Sequence, residues 1–80
     1  MPPDDPSDAE RAALLRFEAL YEAWRVANER AMKAEQQLWL ESLGSITDER
    51  RRALAAEAVR LRGIAQEAYK VAIAARPERD

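Results

Sequence analysis

The sequence contains no cysteine and no histidine. Disulfides are therefore excluded, and so are the thiolate and imidazole ligands from which zinc and most transition-metal sites are built. The usual general base for a serine nucleophile is missing as well. Proline is confined to positions 2, 3, 6 and 77 and glycine to positions 44 and 63. The long stretches between them carry almost nothing that breaks a helix. No apolar run approaches the roughly 20 residues that span a bilayer. Met1-Pro2-Pro3-Asp4-Asp5-Pro6 is acidic and has no apolar centre, unlike a secretory signal peptide. Neither sign of charge dominates: 13 basic residues stand against 15 acidic ones, which gives no overall pull toward nucleic acid or an anionic membrane. The lack of cysteine fits a cytoplasmic setting. The excess of arginine over lysine, with abundant alanine, reads as the residue usage of a GC-rich bacterium. No cofactor and no metal are expected.

What is present is helix-forming. A chain of 80 residues allows one domain, and a domain this small is marginal unless something staples it or it associates. The single breaking cluster is Ser42-Leu43-Gly44-Ser45-Ile46-Thr47-Asp48. Gly44 can end a helix in the left-handed conformation. Ser45 or Thr47 can cap the next helix, and Asp48 and Glu49 suit its positive end. So short a break folds the two arms back as an antiparallel pair. The expected division is a disordered tail over 1–7, a first helix over 8–43, a turn over 44–47, a second helix over 48–76 and a frayed tail over 77–80. Ser7-Asp8-Ala9-Glu10 reads as a capping box at the start of arm one. Pro77 ends arm two by pushing the residue before it out of the helical region.

On a wheel of 100° per residue, the apolar residues of arm one cover about half the circumference. One flank is mostly small: Ala13, Leu20, Ala27, Ala31, Ala34 and Leu38. The other is mostly large: Leu14, Tyr21, Met32, Trp39 and Leu43. Phe17 and Trp24 lie between. The apolar face of arm two carries Leu54, Ala58, Leu61, Ile64, Ala65, Ala68, Val71, Ala72 and Ala75; Leu54, Leu61, Ala68 and Ala75 recur at seven-residue spacing, with Ile64 and Val71 between them, the pattern of a coiled-coil seam. The fold should set Phe17 near Ala72 and Ala75, and Trp24 near Ala65 and Ala68. Ala27, Ala31 and Ala34 should face Leu61, Ile64 and Ala58. Large residues then meet small ones, as close packing requires. Gly63 falls on the far side of arm two, where it marks a bend, a close approach by another backbone, or nothing.

A lone hairpin has one seam, and arm one is apolar over more surface than one seam can cover. Leu14, Tyr21, Met32, Trp39 and Leu43 are therefore the candidate interface, since exposed apolar strips of this kind mark contacts with partners. The aromatic residues support that choice, Trp39 above all, because tryptophan is enriched at interface hot spots. With Leu40, Leu43 and Ile46, Trp39 also makes the hairpin tip apolar, which suits a plug closing a bundle as well as a contact site.

Three other constellations carry less. Arm two has seven basic and four acidic side chains between Asp48 and Arg76. Of these, Arg52, Arg60, Arg62 and Lys70 are the candidates for phosphate contact. They spread around the helix beside Arg50 and Arg51, and no aromatic residue is interleaved for base stacking. Glu57 falls within the apolar arc, where a perturbed carboxyl could do acid–base work. Pairing with Arg30 or Lys33 across the seam, or fixing an oligomer's register, explains it more simply. The carboxylates Glu18, Glu22, Glu29, Glu35 and Glu41 lack the histidine that completes a helix-bundle metal motif. They read as a solvated face with pairs such as Glu29 and Lys33. Ser7, Ser42, Ser45 and Thr47 are all explained as caps or turn residues.

In shape the hairpin is similar to the Rop-type plasmid RNA-binding proteins, in which two hairpins pair as a four-helix bundle; the similarity is one of architecture and implies a dimer. It also resembles the small helical chaperones of bacterial secretion systems in outline. The Trp-x-Gly turn of the small secreted WXG-type proteins is absent, since Trp39 is followed by Leu40-Glu41. The sequence thus predicts an all-α antiparallel two-helix hairpin that dimerises into a four-helix bundle. It points to a non-enzymatic protein–protein interaction module: an adaptor, small chaperone or assembly subunit. Its partner would be a second copy or another helical protein. A Rop-like nucleic-acid-binding dimer is the alternative.

Overall fold

A computed structural model describes residues 7–77. The expected disordered tail over 1–7 and frayed tail over 77–80 lie, apart from Ser7 and Pro77, outside that range. Ser7, in extended conformation, caps the first helix: its hydroxyl accepts the Glu10 backbone N–H at 3.1 Å, the serine half of a capping box. Helix α1 then runs unbroken over Asp8–Ser42, and helix α2 over Asp48–Ala74. Thr47 is the cap of α2, its Oγ1 accepting the Arg50 N–H at 3.1 Å. Asp8 and Glu10 lie in the first turn of α1, and Asp48 and Glu49 in that of α2, where the helix dipole favours negative charge. The helices pack antiparallel as a hairpin about 18 by 16 Å in cross-section.

Both helices end earlier than the sequence predicted. Helix α1 stops at Ser42, and Gly44 does not adopt the left-handed conformation expected of it. Instead Leu43 stays right-handed, with its N–H donating to Leu40 at 3.3 Å, and the Gly44 N–H donates to Glu41 at 3.2 Å. The terminal carbonyls are satisfied by tightening the last turn rather than by reversing the backbone. Helix α2 stops at Ala74 rather than Arg76. Ala75 caps it in right-handed conformation two residues before Pro77, and the Arg76 N–H closes the end on the Ile73 carbonyl at 3.1 Å. The turn is also clasped from outside. Arg50 makes a forked pair with Glu41, both bonds 3.1 Å, and Gln37 donates to the same carboxylate at 2.9 Å. These bonds hold the Glu41 carboxyl below its ordinary pKa, the Arg50 hydrogen bond most and the Gln37 bond next.

The packing follows a strict alternation of three and four. On α1 the shielded positions include Phe17, Leu20, Trp24, Ala27, Ala31, Ala34 and Leu38. On α2 they include Leu54, Ala58, Leu61, Ala65, Ala68, Ala72 and Ala75. This is the seam of a two-stranded coiled coil. Its buried residues are Ala31, Leu54, Ala58, Ala65 and Ala72. Methyl groups so placed allow the axes to approach toward the short end, roughly 8 Å, of the usual range. Ile64 and Val71 are not in the seam, contrary to expectation. They are about half exposed, because Ala65 and Ala72, one position further on, occupy the buried row. A period of 3.5 keeps one row facing the partner, whereas a wheel of 100° lets the arc drift. Glu41 against Arg50 and Trp24 against Tyr69 set the register, which brings Phe17 level with Ala75 and Trp24 level with Ala68.

Candidate interaction surface

In an antiparallel pair, the positions beside the seam meet like with like, so each hairpin has two broad faces. One is formed on α1 by Leu14, Tyr21, Asn28 and Glu35, and on α2 by Ala55, Arg62, Tyr69 and Arg76. The geometry of this face is continuous. At the open end Leu14, Phe17, Tyr21 and Ile73 line a hollow of about 450 Å³. A second hollow, of about 300 Å³, lies between Trp24, Asn28, Arg62 and Tyr69. Toward the turn a third, of about 430 Å³, is lined by Leu38, Ala55, Val59 and Gly63. Arg62 and Gln66 border both the second and the third and stand between them.

Four of the chain's aromatic rings form a ladder along the open half. Phe17 and Tyr21 lie 6.0 Å apart, Tyr21 and Trp24 5.3 Å, and Trp24 and Tyr69 5.5 Å in an edge-to-face contact. The ladder crosses from one helix to the other, so it ties the seam while leaving ring surface in solvent. A polar bridge follows in the middle. Arg62 donates to Glu35 through two nitrogens at 2.9 and 2.6 Å, and to the Asn28 carbonyl oxygen at 2.8 Å. Asn28 in turn donates to the Met32 sulfur at 3.6 Å. The Arg62 hydrogen bond holds the Glu35 carboxyl below its ordinary pKa. This forked pair fixes the helices laterally, and it is where the apolar surface is interrupted.

Every residue singled out as the candidate interface is solvent-exposed. Leu14 and Tyr21 are about two-fifths exposed, Met32 is 56% exposed, Trp39 63% and Leu43 68%. The structure brings Leu14 and Tyr21 together around the open-end hollow and seats Met32 against Asn28. Trp39 continues the Met32 row one heptad later. Leu43 caps α1 at the tip and stands apart from the groove. Sequence reasoning missed the share of α2: Tyr69, Ile73 and Val59, the last 72% exposed. Their signal was available, since all three flank the Ala58-Ala65-Ala72 row, but it was blurred by counting Ile64 and Val71 in the seam beside those alanines.

The remaining candidates fall differently. Glu57 is neither buried nor paired across the seam with Arg30 or Lys33. It is half exposed and forks onto Arg60 of its own helix at 2.6 and 3.1 Å. The Arg60 bond lowers its pKa, which keeps it ionised and unsuited to donating a proton at neutral pH. Of the four basic candidates, Arg60 is held by Glu57, Arg62 by Glu35 and Lys70 by Glu67 at 3.3 Å. Three of the four thus face a carboxylate, which weakens the pull on a phosphate backbone. Among the described residues no group of three or more acidic side chains is placed to hold a metal, and no helix is long and apolar enough to cross a membrane. Comparison with known protein families, with curated proteins and with solved structures finds no match.

Proposed function

We propose that this chain is a non-catalytic protein–protein interaction module, an adaptor, small chaperone or assembly subunit that offers one face of a helical hairpin to a helical partner. One observation carries the reading: large apolar side chains from both helices, Leu14, Tyr21, Tyr69, Ile73, Met32 and Trp39, stand in solvent on the same side of the molecule while the seam is filled mostly by alanine. A rod that keeps this many bulky side chains on an outer face, beside a seam more than half alanine, has hydrophobic surface in the arrangement of half a bundle. The partner is a second copy or another helical protein, docked helix against groove. The cysteine-free composition suits a reducing compartment, and we place its work in the bacterial cytoplasm.

The test is site-specific photo-crosslinking in the cells that make the protein. A photoreactive residue replaces Tyr21, Met32 or Trp39 in turn, with Glu22, Glu29 and Gln36 on the outer side of α1 as controls. Discrete protein adducts from the first set and none from the second are expected. Equal labelling from both sets, or adducts to nucleic acid alone, would sink the reading.

A further inference from the structure

We propose that the occupant of this surface is a second copy of the chain, laid antiparallel so that the open half of each hairpin covers the turn half of the other. This rests on reading the face as an interaction surface. Size comes first. The paired length is set by the 27 residues of α2, about 40 Å. Across a width of 18 Å this gives roughly 700 Å² in flat projection. Side-chain relief brings the accessible area to about the 800 Å² per partner of a standard stable interface.

The distribution of bulk then fixes the arrangement. The open half carries Leu14, Tyr21, Tyr69 and Ile73. On α2, the turn half carries Ala55, Val59 and Gly63 around a hollow of about 430 Å³. A two-fold axis across the long direction stacks α1 on α1 and α2 on α2, each pair reversed. With Gln66 on the axis, Tyr69 lies over Gly63 of the other copy and Ile73 over Val59. In the hairpin register the same axis crosses α1 beside Val26, which sets Leu14 opposite Trp39 and Tyr21 opposite Met32. On α2 large side chains of one copy meet smaller ones of the other, on α1 large apolar side chains pair with each other, and the contact is self-complementary, as a closed dimer requires. Glu18 approaches Glu35 of the second copy, where Arg62 already stands against that carboxylate. A parallel arrangement would crowd the four large residues of both copies, Leu14, Tyr21, Tyr69 and Ile73, together at the open end, although Trp39 and Met32 would then cover the turn half of α2. Gly63 has nothing within 4 Å of where a side chain would begin, the open space a second backbone or ring can enter.

Because the chain has no cysteine, single-cysteine variants report without interference. Gln66→Cys and Ser45→Cys, both at exposed positions, are spin-labelled separately and the full chain is measured by pulsed electron resonance, beside light scattering across a dilution series. The expected mass is twice 9.1 kDa. Labels at 66 should lie within about 20 Å, and labels at 45 near opposite ends, about 60 Å apart. Tyr69→Glu should raise the dimer dissociation constant at least thirtyfold, the scale of an interface hot spot. Short distances at both positions would overturn the antiparallel arrangement. A fully helical chain of 9.1 kDa at several hundred micromolar would overturn self-association altogether. The interaction reading would survive that second result if the photo-crosslinks lead to a different protein, and would fall with it if they lead to none.

Discussion

Gly63→Ala separates the physics of the hairpin from the physics of the pair. Gly63 lies inside α2, is exposed, and has ordinary right-handed backbone angles. A β-carbon built there meets nothing within 4 Å. The substitution therefore removes the entropic cost of a mid-helix glycine with no steric charge against it, a gain of about 1 kcal/mol. Unfolding entropy of about 2 cal/mol/K per residue turns that into a rise in Tm of roughly 4–8 °C for a domain of this size. The assay is thermal unfolding by far-UV circular dichroism, repeated over a hundredfold range of concentration. In the isolated hairpin the full gain should appear. If Tyr69 of a second copy occupies the space over Gly63, the new methyl competes with that ring, and the gain should shrink or reverse as concentration rises. A loss of stability at the lowest concentration where the chain is helical would refute the reasoning, since it would require the position to be closed within one chain.

Enlarging a seam alanine should do the reverse: Ala65→Leu drives three extra carbons into a fully enclosed position and should cost about 1–3 kcal/mol, read as a lower urea midpoint. Gly44→Ala should be tolerated or slightly stabilising, by about 0.4–1 kcal/mol, because φ at 44 is not positive and the added carbon would lie an ordinary 3.8 Å from the Glu41 carbonyl; a drop in Tm would show that the turn needs a left-handed residue after all. Acid should destabilise the hairpin. The carboxyls of Glu35, Glu41 and Glu57 are all held below their ordinary value of 4.5 by forked arginine bonds. Their stabilisation is complete above that value and is lost as pH falls through the lowered folded pKa values, because protons then bind the unfolded chain first. Tm should be flat from pH 7 to 5 and fall below about 4.5, and Glu35→Gln with Glu41→Gln should flatten the fall.

The hairpin was legible because its evidence is local and redundant. One breaking cluster stands between two long stretches of helix formers, and Ser7 and Thr47 each offer a hydroxyl to the amide three residues on. The details that escaped were decided by competition over distance. Gly44 had a left-handed option, but the chain could also close its helix by tightening, and the Glu41–Arg50 clasp favours that outcome only once the arms are folded. Glu57 looked as though it needed a partner across the seam, yet Arg60 on the next turn is nearer and requires no tertiary contact. Placing Ile64 and Val71 in the seam beside the alanines was the most consequential error. Bulk suggested that Ile64 and Val71 point inward, whereas antiparallel helices with alanine on both sides lie too close for a row of branched side chains between them. That choice of phase moves Tyr69, Ile73 and Val59 onto the face that Leu14, Tyr21, Met32 and Trp39 already occupy. The seam thus shapes the outer surface: with alanine filling more than half of it, Tyr69, Ile73 and Val59 join Leu14, Tyr21, Met32 and Trp39 on one face, while Leu15, Ile64 and Val71 stand exposed off that face.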